Sequence, residues 1–151
     1  MKIPQTMIDK VIMQAEKEYP KESCGMILGP GDKPGVLSTL RPCRNVQDEY
    51  HVKDTANFPR TARTGYFMEP ADLFAIQKEA RSRGETIRVI YHSHIDTGAY
   101  FSEEDKRAAL ASGEPAYPDV QYLVISVLKG KVGEIKQYSW DPKMREFAAH
   151  D

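Results

Sequence analysis

The sequence predicts an α/β (α+β) fold, with a single mixed β-sheet flanked by helices. Two observations carry this. Apolar residues recur at helical spacing before Pro20 and again after Pro70, whereas 22–29, 86–91 and 120–128 are short, nearly unbroken apolar runs. The resulting order is α, β, β, a long loop, β, α, β, a short α, β, β. That order is neither a regular parallel α/β array nor all-β.

Taken in order, Thr6 suits an N-cap with Asp9 at the third helical position. Met7, Ile8, Val11, Ile12 and Ala15 then form one apolar stripe, and Pro20 closes the helix. Residues 22–29 read as a strand buried on both faces. Pro30 to Gly35 is turn chemistry that leads into a hairpin partner from Val36 to Leu40. From Arg44 to Arg63 the pattern is polar and without period, so the expectation is a long loop, either a flap that contacts substrate or a mobile surface insertion. His51, within it, is expected to be solvated. Tyr66 to Met68 reads as extended.

Pro70 suits the first turn of the next helix and Asp72 its positive end, and Gly84 suits a C-terminal cap. The run from Thr86 to Tyr91 is a buried strand that continues through His94. Phe101 to Leu110 reads as a helix start, and Ser112 to Pro118 breaks the chain again. Val120 to Leu128 is apolar enough for a central strand. Lys129-Gly130-Lys131 turns it into Val132 to Trp140, where Glu134 and Lys136 share an outward face. Residues 141–151 read as a loose polar tail with a solvated His150. All 151 residues fit one domain.

The chemistry concentrates in His92-Ser93-His94, then Ser102 and Asp105. A strand's period of two puts both imidazoles on one face. The helix starting after Ser102 would return Asp105 over the strand end. Two imidazoles and a carboxylate, with a fourth position for water, make a catalytic zinc pattern. Each piece alone has an ordinary reading: a surface His pair, or a helix cap in which Ser102 and Asp105 resemble a capping box. The combination H-S-H, seven residues, S-x-x-D is far rarer by chance.

That combination resembles the JAMM (MPN+) metallopeptidases. Pro20-Lys21-Glu22-Ser23-Cys24-Gly25 through Gly29 is similar to the family's upstream P-x-E-x-C-G-x-x-x-G segment. The resemblance spans roughly residues 6–140 and is strongest to the small, single-domain bacterial branch. Ile95 and Phe101 stand where prolines are usual, positions that shape a loop and supply no ligand. The resemblance implies a JAMM/MPN fold, itself similar to cytidine deaminase. It implies one Zn2+ per chain held by His92, His94 and Asp105, with Glu22 as general base and then general acid. By the same matching Ser102 donates a hydrogen bond to the oxyanion, while Ser93 faces away and anchors the strand end.

The implied reaction is hydrolysis of the amide after the C-terminal Gly-Gly of a ubiquitin-like sulfur-carrier protein (ThiS/MoaD-like). Which carrier, whether the released group is an amino acid, a peptide or a lysine-linked protein, and whether the chain is a homodimer all stay open. The alternative is a non-catalytic MPN-type scaffold for binding other proteins. Against it stands the presence of all five residues.

Other classes are excluded by what the chain lacks. There is no H-E-x-x-H, and no H-x-E with P-C-x-x-C, so neither a zincin nor a nucleobase deaminase fits. A net charge of -1 with interspersed signs offers no footprint for nucleic acid or anionic membrane. No run of apolar residues is long enough for a membrane span, and the N-terminus lacks a signal-peptide core, so a cytoplasmic location is expected. Cys24 and Cys43 are too few for a disulfide framework, and Cys24 is expected as a small buried hydrophobe near Glu22.

Overall fold

A computed structural model describes residues 1–150. In chain order it contains α1 (Gln5–Glu18), β1 (Cys24–Pro30), β2 (Thr39–Cys43), α2 (Gln47–Lys53), α3 (Pro70–Arg83), β3 (Glu85–Ile95) and α4 (Glu103–Ala109). A two-residue pair follows, β4 (Leu110–Ala111) and β5 (Glu114–Pro115), then β6 (Gln121–Leu128), β7 (Lys131–Asp141) and β8 (Glu146–His150). Six strands form one mixed sheet in the order β2-β1-β3-β6-β7-β8. Only β3 and β6 pair in parallel, with His92 opposite Val124 and His94 opposite Ser126. A parallel pair needs a crossover, and here it carries α4 and the β4–β5 hairpin.

The sheet separates two apolar layers. Val11 and Ala15 of α1 pack with Ile27, Val89, Tyr91, Leu123 and Ile125 on one face. On the other, Ile76 and Ala80 of α3 and Phe101 pack with Met26, Ile90, Tyr122 and Val124. From Arg88 onward β3 is buried on both faces, which is why Val89, Ile90 and Tyr91 are apolar without alternation and why the polar His92, Ser93 and His94 that follow are buried too. Gly25 lies in this crowded layer: a Cβ there would stand 2.2 Å from the Tyr91 hydroxyl oxygen and 2.7 Å from the Arg41 carbonyl oxygen. Gly84 ends α3 in the left-handed region at φ 69°, as its capping role requires. No helix among the described residues is long and apolar enough to cross a membrane.

Four expectations are corrected. α1 begins at Gln5 with Pro4 as its cap, and the Pro4 carbonyl accepts from the Met7 and Ile8 amides; Thr6 is already inside the helix. β2 starts at Thr39 rather than Val36, because the turn after β1 runs longer than its glycines and prolines suggest. The segment 44–63 is not an irregular loop, since α2 lies within it, with Tyr50 packed on Phe58 and Phe67. Nor is the tail loose. β8 pairs with β7, placing Phe147 against Phe101, Tyr122 and Trp140, while His150 is exposed as expected and meets Ser139 at the surface.

Candidate active site

Strand alternation sends Ile90, His92 and His94 to the same face, with the last two rings at its end. Ser93 points the other way and does structural work there. Its Oγ accepts the Ser23 amide at 2.7 Å, and its own amide donates to the Ser23 carbonyl at 3.0 Å. This strap carries the residue before it, Glu22, to the site. The Glu22 amide in turn donates to the Ala62 carbonyl at 2.7 Å.

Asp105 arrives through α4. Ser102 caps that helix by accepting the Asp105 amide at 3.1 Å, and Asp105 Oδ2 accepts the Ser102 amide at 2.9 Å. The ordinary capping box is therefore present, and it aims the carboxylate at the imidazoles. The loop between β3 and α4 is held from β7, two strands away in the sheet. Tyr138 donates to the Ala99 carbonyl at 2.7 Å, and Glu134 accepts the Ala99 amide at 3.1 Å.

The three groups converge. His92 Nε2 lies 3.0 Å from Asp105 Oδ1, His94 Nε2 lies 3.1 Å from Asp105 Oδ2, and the two Nε2 atoms are 3.2 Å apart. Three donors on a tetrahedral ion with bonds of about 2.0 Å are separated by about 3.3 Å, so the spacing suits zinc. The protonation pattern agrees. His94 Nδ1 lies 3.0 Å from the Gly98 carbonyl, which can only accept, so Nδ1 is the donor there and Nε2 is the ring nitrogen turned to Asp105. His92 Nδ1 is buried without a hydrogen-bond partner. Stacking on Tyr66, with ring centroids 4.6 Å apart, orients that ring instead.

A cleft of about 270 Å³ opens beside these groups, lined by Glu22, His94, Ser102 and Asp105. The segment expected to be a flap or an insertion supplies another wall, through Gln47, Asn57, Phe58, Arg60 and Arg63, and Tyr66 just beyond it lines the cleft as well. Polar side chains tie that wall down. Asn45 Nδ2 donates to the Glu22 and Gly65 carbonyls, Gln47 Nε2 donates to the Arg60 carbonyl, and Asp48 accepts the Ala62 amide.

Burial pushes the Glu22 carboxyl up to about 9, the nearby Asp105 charge adds to the rise, and Arg60 opposes it. Burial would also raise Asp105, but His92 and His94 and the Ser102 amide more than offset it and hold that carboxyl well below the usual range. Burial raises both cysteine thiols, to about 12 for Cys43 and higher still for Cys24, so neither is a nucleophile. His51 stays outside, its Nδ1 2.7 Å from the Phe58 carbonyl. Sequence reasoning singled out His92, His94, Asp105, Glu22 and Ser102, and all five line or flank one cleft. It missed Tyr66 and Arg60, single residues in stretches without a pattern.

Among known proteins, the chain is similar to the CysO-cysteine peptidases of Mycobacterium tuberculosis and Mycobacterium bovis. Identity is 26% over 134 residues, covering 87% of this chain and 77% of each relative. Its fold matches a solution structure from Desulfitobacterium hafniense with a TM-score of 0.69 at 21% identity, over 97% of this chain and 87% of that one. A second, from Salinibacter ruber, matches with a TM-score of 0.66 at 25% identity, over 100% and 89%. A family model described as prokaryotic homologs of the JAB domain matches residues 4–141, and the chain belongs to that family.

Proposed function

We propose that this chain is a zinc-dependent peptidase, hydrolysing the amide after the C-terminal Gly-Gly of a ubiquitin-like sulfur-carrier conjugate. The observation that carries it is two imidazole nitrogens 3.2 Å apart, each 3.0–3.1 Å from one oxygen of the Asp105 carboxylate, beside the buried Glu22 carboxyl. The relatives' name, CysO-cysteine peptidase, supports the reaction class. His92, His94 and Asp105 would hold the ion. A bound zinc supplies a water of pKa about 7 and a Lewis acid for a carbonyl.

The chain's own groups do the rest. Glu22 accepts a proton from the attacking water and hands it to the departing amine, a role suited to a carboxylate that lines the cleft and is not itself a proposed ligand. Ser102 Oγ receives the Asp105 amide and keeps its own hydroxyl hydrogen to donate to the oxyanion. The wall at 57–66 confines an extended tail. The balance is simple: water's oxygen stays on the glycine carboxylate, and both its protons end on the amine.

The test is mass spectrometry of carriers ending in Gly-Gly-Xaa after incubation with zinc-loaded protein. Cleavage after Gly-Gly is expected. Changing the last Gly to Ala should lower kcat/KM more than about tenfold, since forcing a methyl into a packed slot costs about 1–3 kcal/mol. Equal cleavage of Gly-Gly and Ala-Ala tails would instead mark a general peptidase.

A further inference from the structure

The wall opposite the imidazoles carries two guanidiniums, Arg60 and Arg63, and their situations differ. Arg63 Nη2 is engaged at 2.8 Å with Asp96 Oδ2, a carboxylate that also accepts from the Tyr19 hydroxyl and the Lys129 amide. Arg63 therefore buttresses the wall. Arg60 is anchored without being neutralised. Its Nη1 donates to the Thr64 carbonyl at 3.2 Å, and its carbonyl accepts from the Gln47 side chain at 2.9 Å. Its nearest carboxylate among the described residues, Glu104, stands 3.9 Å away and is already in contact with Arg107. Arg60 shares the cleft with Glu22 and its charge reaches that carboxyl.

Stereochemistry then narrows the ligand. In a C-terminal amino acid one carbon separates the amine from the carboxylate, so the carboxylate carbon lies about 2.5 Å from the nitrogen that leaves. The group that protonates the amine and the group that grips the carboxylate must be neighbours. A guanidinium is the side chain whose fork matches a carboxylate. An internal peptide bond or a lysine-linked protein has no carboxylate at that distance.

We infer that Arg60 binds the α-carboxylate of the released residue, making the protein a carboxypeptidase-type enzyme that frees a single amino acid. This rests on the hydrolase reading of the cleft and specifies the leaving side of its substrate. The scissile C–N bond breaks as before, and the product amine leaves as a zwitterionic amino acid with its carboxylate on Arg60.

The probes are peptides ending in Gly-Gly-Ala with a free carboxylate, the same peptides as C-terminal amides, and a version extended by one further Ala. Binding is measured by titration against zinc-loaded Glu22→Gln protein, and hydrolysis against the wild type by mass spectrometry. The free acid should bind and react at least about tenfold better than the amide or the extended peptide, the scale of one charge-assisted contact in a half-exposed site. In Arg60→Gln that ratio should fall toward one, mainly through KM, and Arg60→Lys should keep part of it. A fold defect would lower acid and amide alike and leave the ratio intact. Equal handling of acid and amide by the wild type, or a ratio that survives in Arg60→Gln, overturns the inference while leaving the hydrolase reading standing. Failure of every probe to bind or react overturns both.

Discussion

Glu22 is only 5% exposed, in a cleft it shares with Asp105, and in metal-free protein a carboxyl there keeps its proton, whereas a cation bound beside it would favour the carboxylate that a general base must be. That has two measurable consequences. Glu22→Gln is nearly isosteric and removes no proposed ligand, so it should bind zinc about as well as the wild type while losing 10²–10⁴-fold in turnover, roughly the contribution of one general acid–base. Retention of more than about a tenth of the activity would remove Glu22 from the mechanism. The second consequence concerns pH in metal-free protein. The carboxyl rises from an ordinary 4.5 in the unfolded chain to about 9 in the folded one. Between those values the unfolded state binds fewer protons, so stability falls as pH rises and levels off above about 9. Glu22→Gln lacks this term, so its melting temperature should gain on the wild type steadily from pH 5 to pH 9. Parallel profiles would contradict the raised value.

At the scale of elements, the decisive contact is the strap between β3 and the residues leading into β1. Ser23 and Ser93 are both fully buried, and the Ser93 hydroxyl is the partner of the Ser23 amide. Ser93→Ala would strand that amide, at a cost of about 1–3 kcal/mol. A lower denaturant midpoint is expected, together with a loss of activity, because the same strap places Glu22. An unchanged midpoint would mean that water replaces the hydroxyl. The strands were legible because burial on both faces leaves an apolar run that reads directly. α2 was not: seven residues are too few for periodicity to stand out, and its stability comes from Tyr50, Phe58 and Phe67 packing together. β8 escaped for a related reason. Its anchor, Phe147, is one aromatic in a polar stretch, and only the cluster it joins makes it a strand.

For the whole molecule, the donors come from two consecutive elements that only the fold brings face to face, so an ion bound by His92, His94 and Asp105 would cross-link β3 to α4 in the folded state. Any ligand that binds only the native state raises its stability, by about 2.7 kcal/mol at a hundredfold excess over Kd. Chelation should therefore lower the melting temperature, and one equivalent of zinc per chain should restore it. Asp105→Ala should show little response to zinc. A melting temperature indifferent to chelator in zinc-loaded wild type would argue against the site. The capping box gives a second reason for Asp105→Ala to destabilise, so the response to metal, not the absolute midpoint, is the informative quantity.

The sequence by itself determined which groups could do chemistry. Side-chain identity and short-range spacing are enough to put His92 and His94 on one face and to cap a helix with Ser102 and Asp105. It also determined the sheet's centre, since the apolar runs 89–91 and 122–125 suit strands buried on both faces. Only the tertiary structure decided that Glu22 is buried beside Asp105, that segment 57–66 is the opposing wall, and that Tyr66 and Arg60 belong to the site. Those facts depend on contacts between residues tens of positions apart, such as Ser23 with Ser93 and Glu22 with Ala62. A pKa moved by desolvation, or a guanidinium whose nearest carboxylate stands 3.9 Å away, is a property of such contacts and leaves no local pattern to read.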